Sequence, residues 1–346
     1  MKLRFWPCDL KLAHRWAIAN RQGASLHHVA FAELTAGDGL VGLGEGAPSS
    51  IYGETVASAT EFFQKVAPGR LSFADVPGSM RYLDSITPSQ TAAKCALNIA
   101  LLDGAAKLAR KPLCDFLGLG FREHHHVTSF SIGIDSPEVI RQKTRDAAKY
   151  PVLKLKVGDA RDKENLAALR EMAPDKPVRV DANEGWKNKE QALQMIEWVA
   201  KDSRIQFVEQ PMPRGTPPQD LVWLKERSPL PLFADESYHT AKDLEYCAEC
   251  FHGVNVKLVK TGGVSVAYDA LQAARKAGLK TMIGCMIETS VLISAAAHLA
   301  ELADYLDIDG NLLITNDPYE GVTADDGILS FAKAAEPSGL RVRSRS

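Results

Sequence analysis

No apolar run in this sequence approaches the ~20 residues a membrane helix requires. Its opening, Met1-Lys2-Leu3-Arg4-Phe5-Trp6-Pro7, lacks the continuous apolar core of a secretory leader. Charge of one sign is scarce too: 41 Lys and Arg against 43 Asp and Glu leave a net charge of −2. That balance gives no reason to expect nucleic acid or an anionic membrane as partner. The six cysteines are too scattered for a disulfide framework, so a reducing cytoplasm is the expected compartment. What the chain does have is length and apolar content, 346 residues of which 45% are hydrophobic. That suits one large barrel with an appendage, or two domains.

Residues 1–46 read as three antiparallel strands, Lys2–Leu10, Leu26–Thr35 and Leu40–Glu45, with Gly37-Asp38-Gly39 turning between the last two. A polar loop from His14 to Ser25, containing Arg21, is expected between the first two. From Glu54 to about Leu117 the apolar spacing is helical, most clearly at Ala93, Ala96, Leu97, Ala100 and Leu101. Gly118-Leu119-Gly120 closes this α+β unit, residues 1–120. Short apolar runs then alternate with helical stretches, the sign of βα units and a parallel sheet. Strands are expected near Val127–Ile132, Val152–Val157, Val178–Asp181, Ile205–Glu209, Leu232–Asp235, Val254–Leu258, Thr281–Ile283 and Tyr305–Ile308. Eight such strands suit a (β/α)8-type barrel over 121–315. Residues 316–346 are expected to pack back on the first unit, with a frayed tail from Arg341.

In Leu153-Lys154-Leu155-Lys156-Val157, residues two apart share a face, so Lys154 and Lys156 point together. Two ammoniums on one strand face need an anionic answer if they are buried. Asp181, Glu209 and Asp235 supply it, one at the end of each of the next three strands. A single acid there could simply cap the following helix. Three in register converge, and a divalent cation resolves their repulsion. With no His or Cys among them, Mg²⁺ is favoured over Zn²⁺. Lys260 lies just past the sixth strand, four strands from Lys156, and is expected to face it across the barrel mouth. Lys257 reads as a barrel-surface salt-bridge partner. Two opposed lysines suit removing a proton from one face of a carbon and returning one to the other. A nearby ammonium and cation would favour a neutral lysine. The cation and Lys154 would stabilise the charge of an enediolate.

The set Lys154-x-Lys156, Asp181, Glu209, Asp235 and Lys260, in Lys257-x-x-Lys260-x-Gly262-Gly263, resembles the enolase superfamily and within it the muconate-lactonizing subgroup. The likeness extends to the N-terminal unit through Gly42-x-Gly44-Glu45 and Pro112-Leu113-x-x-x-Leu117-Gly118. It implies the modified (β/α)7β barrel, an α+β capping domain, Mg²⁺, and bases Lys156 for the R-type and Lys260 for the S-type proton. Cycloisomerases, o-succinylbenzoate synthases, N-acylamino acid racemases and dipeptide epimerases share this pattern.

The eighth strand ends Leu306-Asp307-Ile308-Asp309-Gly310, placing two acids on one face opposite the metal. A substrate with its carboxylate on Mg²⁺ would need a cation at its far end. The Asp-x-Asp resembles the dipeptide-epimerase signature for a free α-ammonium, which muconate and succinylbenzoate lack. The expected function is therefore Mg²⁺-dependent inversion of the C-terminal Cα of a dipeptide such as L-Ala-Glu. Acylamino acid racemase and cycloisomerase are the enzymatic alternatives, and a non-catalytic peptide-binding barrel is the alternative of a different class. By resemblance, Ser131 touches substrate and Arg21 lies in a loop that closes over it. Glu288, in Gly284-Cys285-Met286-Ile287-Glu288-Thr289, either lines the side-chain pocket or is structural. Cys247-x-x-Cys250 with His252 lacks a second ligand pair and is discounted as a zinc site. Oligomeric state is left open, and a homo-oligomer fits as well as a monomer.

Overall fold

The computed structural model describes residues 1–19 and 21–345, without the side chains of Arg21 and Gln22. Its first unit is an antiparallel sheet in the order β1 (Lys2–Ile18), β2 (Arg21–Thr35), β3 (Val41–Gly46). The polar loop expected at His14–Ser25 is instead the far half of a long hairpin. Pairing continues from Lys11–Leu26 to Trp16–Ala24 and Ile18–Arg21, with a register shift at each step. Those bulges break the alternation by which a strand is read, and they bend the ribbon toward the barrel. Its tip docks there, Ile134 N donating to Ala17 O at 3.0 Å.

Helices α1 (Val56–Lys65), α2 (Val76–Ile86) and α3 (Thr91–Leu108) complete this unit. From Ala92 to Ala106, α3 is buried on every side. Its Ala92, Ala96 and Ala100, four apart, form a smooth stripe on which β3 lies. The strand matches it with Gly46, Gly44 and Gly42, where an added Cβ would come within 2.1, 1.9 and 2.0 Å of the three alanine carbonyl oxygens. Gln90, which precedes α3, gives no side-chain cap. Glu54 caps the helix from a distance, accepting from Thr91 N at 2.6 Å and Ala92 N at 2.9 Å.

After α4 (Leu113–Phe116) come β4 (Phe130–Ile132), α5 (Pro137–Asp146), β5 (Leu153–Lys156), α6 (Asp162–Met172), β6 (Val178–Asp181), α7 (Lys189–Val199), β7 (Ile205–Glu209), α8 (Pro218–Arg227), β8 (Leu232–Ala234) and α9 (Leu244–Cys250). The series ends with β9 (Gly253–Lys257), α10 (Leu258–Thr261), α11 (Val264–Lys276), β10 (Lys280–Gly284), α12 (Ser290–Ala297) and β11 (Tyr305–Asp307). Strands β4 to β11 pair in sequence order, all parallel. A bridge between Thr128 and Leu306 brings the first and last together. Beyond β11 no α-helix follows among the described residues, only a 3₁₀ turn and a short two-stranded ribbon, so the architecture is the expected barrel with seven βα units and a final strand. No helix among the described residues is long and apolar enough to cross a membrane.

The two units are stitched by buried polar bonds. Glu45 of β3, fully buried, accepts from Thr289 N (2.9 Å), Thr289 Oγ1 (2.5 Å) and Leu292 N (3.1 Å) at the start of α12. The C-terminal segment bonds to the sheet unit through Asn316 to Lys11 and Leu340 to Asp103, and to the barrel through Leu329 to His126. Its end is paired rather than frayed: Arg343–Ser344 lies antiparallel to Tyr319–Glu320.

The glycine stripe gives a stability test. Gly44→Ala should lower the unfolding free energy by about 1–3 kcal/mol, the usual cost of overpacking. Gly37→Ala, with nothing within 4 Å of the added carbon, should change it little. Denaturant titration compares the two, and equal effects would contradict the strand-on-helix packing.

Candidate active site

All eight barrel strands run the same way, so their carboxyl ends share one mouth. Asp181 closes β6, Glu209 closes β7 and Asp235 follows β8 directly. All three are fully buried, and one carboxylate oxygen from each lies within 4.8 Å of the others. Lysines answer them. Lys154 Nζ is 2.7 Å from Glu209, 3.1 Å from Asp181 and 2.6 Å from Asp307. Lys156 Nζ is 2.6 Å from Asp181 Oδ2, and Lys257 Nζ is 2.8 Å from Asp235 Oδ2. Burial pushes Glu209 up to about 7, helped by the neighbouring Asp181. Asp235 is buried as deeply, yet Lys257 and Lys260 hold it well below the usual carboxylate range.

The triad suits a hard divalent cation. Its donors are all anionic oxygens, with no nitrogen or sulfur. Glu209 Oε2 has no hydrogen-bond donor among the described residues, because Lys154 stands close to it but out of line. That oxygen meets the Lys154 ammonium as an ion pair, which leaves a lone pair for a metal ion.

Above the triad is a cavity of about 150 Å³. Lys156 and Lys257 both line it, from β5 and β9, four strands apart in the barrel order. Asp307, Asp309 and Ser131 line it as well. Asp307 accepts from Ser129 Oγ at 2.6 Å, and Asp309 accepts from Ser131 N at 2.6 Å. Burial and then Asp307 push Asp309 up to about 7, while Asp307, despite burial, is held at about 2 by Lys154.

Comparison with known proteins fits this geometry. Residues 9–118 match the mandelate racemase / muconate lactonizing enzyme N-terminal domain, and residues 138–325 match the enolase C-terminal domain-like family. An L-Ala-D/L-amino acid epimerase of Pedosphaera parvula is 65% identical over the full length of both chains. An L-Ala-D/L-Glu epimerase of Bacteroides thetaiotaomicron is 40% identical over 96% of this chain and 85% of its own. The chain belongs to the enolase superfamily. Among solved structures, a dipeptide epimerase from Enterococcus faecalis V583, complexed with Mg and the dipeptide L-Leu-L-Tyr, superposes with a TM-score of 0.89. It shares 31% identity and covers 99% of each chain.

Within that family fold, Lys260 is not where strand counting put it. Strand β9 ends at Lys257, and the chain then turns into α10, carrying Lys260 behind the acid wall. Lys260 Nζ donates to Asp235 Oδ1 (2.6 Å), Asp235 O (2.5 Å) and Asn255 O (3.2 Å), and it is absent from the cavity wall. Lys257, read from sequence as a surface salt-bridge partner, is the lysine at the mouth. The parity used for Lys154 and Lys156 identifies it: Asn255 points inward, donating to Glu209 Oε1 at 2.7 Å, so Lys257 two residues on does too.

Glu288 is also absent from the cavity wall. It is fully buried, accepts from Met286 N at 2.9 Å, and so shapes the loop in which Cys285, Met286 and Ile287 face the cavity. The side chain of Arg21 lies outside the described residues. Sequence reasoning missed the lid: Leu12, Trp16 and Ile18 from the hairpin, and Tyr52 from the turn after β3, close the cavity from above. It also missed Glu236, beside Asp235, which lines the cavity and is pushed up to about 8 by burial and by Asp235. The discounted zinc motif stays discounted. Cys247 and Cys250 point to the carbonyls of Ser237 and Pro218, and His252 Nδ1 accepts from Leu232 N.

A cation held by the triad should stabilise the fold without any substrate. At about a hundred times its Kd it should add about 2.7 kcal/mol to the unfolding free energy. Titrating Mg²⁺ or Mn²⁺ against thermal unfolding measures this. Glu209→Gln should remove the gain, and a gain that persists in this variant would place the cation elsewhere.

Proposed function

We propose that the protein is a Mg²⁺-dependent epimerase that inverts the α-carbon of the C-terminal residue of a dipeptide, with Lys156 and Lys257 as its two bases. The observation that carries this reading is their placement: two lysines from strands four apart line one cavity, with the acid triad on the arc between them. The names of the relatives and the peptide in the Enterococcus faecalis structure supply the substrate class.

Asp181, Glu209 and Asp235 would hold the cation, which when bound supplies positive charge to the substrate's carboxylate oxygens. Lys154, fixed among Asp181, Glu209 and Asp307, adds a second positive charge at the same wall. One cavity lysine, neutral, takes the α-proton, and the C–H electrons pass into the carboxylate. The other, protonated, delivers a proton to the opposite face of the same carbon. Reprotonation from the first lysine returns the starting isomer, so inversion requires both. Across the mouth, Asp309 and Asp307 offer carboxylates to the dipeptide's ammonium. An N-acyl amino acid or a cycloisomerase substrate has no cation for them. Hairpin residues Leu12, Trp16 and Ile18 keep the chemistry out of water. Lys260, tied to Asp235, acts as a positioning residue.

Stereoisomer-resolved exchange in D₂O tests the pair. Lys156→Ala and Lys257→Ala should each cut net epimerisation by about 10²–10⁴, the usual share of a general acid–base group. Each should still exchange deuterium into the one isomer its remaining lysine reaches. Mass spectrometry on each pure isomer decides it, and a Lys257→Ala variant that interconverts isomers near the wild-type rate would sink the assignment. N-acetylation of the dipeptide, which takes the ammonium from Asp309 while Asp307 keeps Lys154, breaks one buried pair and should cost about 3–5 kcal/mol in kcat/KM. Equal turnover of acetylated and free dipeptides would favour the acylamino acid racemase.

A further inference from the structure

The inner cavity has an outer neighbour. A second chamber, of about 270 Å³, lies at the barrel rim between the β1–β2 hairpin and the end of β4. Leu12, Trp16, Ser131 and Leu313 are walls of both, so the two spaces adjoin along one side of the mouth. That side is where the acid pair sits: Ser131 N donates to Asp309 Oδ2 at 2.6 Å. The outer chamber is backed by Phe130 and Tyr150, whose rings stack at 4.2 Å and 7°. Its charged rim is already engaged or of mixed sign. Lys143 is paired with Asp135 at 3.1 Å, Asp146 accepts from Gln142 at 2.8 Å, and Lys149 lies over the Tyr150 ring at 5.1 Å.

Resting on the dipeptide reading above, we infer that the outer chamber receives the side chain of the substrate's N-terminal residue, and that this residue can be large and apolar. The geometry follows from one bond. The ammonium and the side chain of an N-terminal residue branch from the same carbon. With the ammonium on Asp309 and Asp307, that carbon lies beside Ser131, at the boundary of the two spaces. The inner cavity already has to take the rest of the dipeptide. The outer chamber is walled by Trp16, Phe130, Tyr150, Leu12 and Leu313, and presents no unopposed charge of one sign. Leucyl, phenylalanyl and tyrosyl dipeptides fit such a space, and the selectivity is not confined to an N-terminal alanine.

The test uses the full-length protein with Mg²⁺ and a series of dipeptides that share one C-terminal residue and begin with alanine, leucine, phenylalanine or tyrosine. The wild type should epimerise the large members with kcat/KM at least equal to that of the alanyl one. Ala13 and His14 line only the outer chamber and are exposed. Ala13→Phe and His14→Trp narrow it from the hairpin side. Each should lower the ratio of kcat/KM for phenylalanyl over alanyl substrate by about tenfold, the low end of what apolar pocket contacts discriminate. The readout is a ratio within one variant, so partial unfolding cancels. A ratio unchanged in both variants overturns the inference. So does a wild type that epimerises alanyl dipeptides and rejects the large ones, an outcome that leaves the reaction itself standing. A protein inert on every free dipeptide overturns the reaction, and the chamber's occupant with it.

Discussion

Eight charges share the buried end of this barrel. Asp181, Glu209, Asp235 and Asp307 are met by Lys154, Lys156, Lys257 and Lys260, each of them less than a tenth exposed. Ions removed from water cost several kcal/mol apiece, and only close pairing returns it. Glu236 and Asp309, buried beside them, add further acid to the same end, and Arg179 lies one layer deeper. An acid–base pair needs one of its lysines neutral, which removes one positive charge from among buried acids. A dication held by the triad would more than replace it. Asp181 and Asp235, the acids that now hold Lys156 and Lys257, are also the ones a cation would engage. The same carboxylates therefore hold the lysines in one state and would turn to the cation in the other.

The rest of the fold keeps this cluster dry and in register. Parallel pairing sets Lys156 beside Asp181 and Asp181 beside Glu209. Lys260, from behind, ties Asp235 to the Asn255 carbonyl, so the third acid is fixed to the strand that carries Lys257. Arg179, one layer deeper, donates to the Leu306 carbonyl and to Ser129, the residue that bonds Asp307. The α+β unit contributes through Glu45, which caps α12 at the end of the loop that carries Met286 and Ile287. Its glycine stripe lets β3 lie close enough to α3 for this reach.

Much of this was legible in the sequence because parallel barrels obey simple rules. The acids at three strand ends, the Lys154–Lys156 parity and the Asp307–Asp309 pair all follow from a two-residue repeat and a common mouth. The exchange of Lys260 for Lys257 came from letting a counted strand run one residue too far. Once β9 stops at Lys257, only Lys257 keeps the inward parity of Asn255, and Lys260 belongs to a helix. The hairpin was not legible for a different reason. Its two register shifts remove the alternation that marks a strand, and its apolar residues face a cavity made by another part of the chain. Glu288 looked like a lining residue because its neighbours are. In a tight loop, adjacent side chains diverge, and this one turns inward to hold a backbone N–H.

The placement of the lid also bears on how one scaffold serves different substrates. The charges that would do chemistry sit on strand ends and are fixed by ladders, buried pairs and helix caps. The groups that would meet side chains sit on the hairpin, on the turn carrying Tyr52 and on the loops after β10 and β11. The hairpin is tied to the barrel by Ile134 N to Ala17 O and Lys143 Nζ to Arg15 O near its tip, and to the C-terminal segment through Lys11 and Asp9 at its root. A substitution in the hairpin can reshape the cavity roof without moving a carboxylate. A substitution in the strands cannot spare the charge balance. Selectivity is therefore free to vary on the lid while the reaction stays with the barrel, which is why the acids and lysines alone indicate a reaction and say little about side chains.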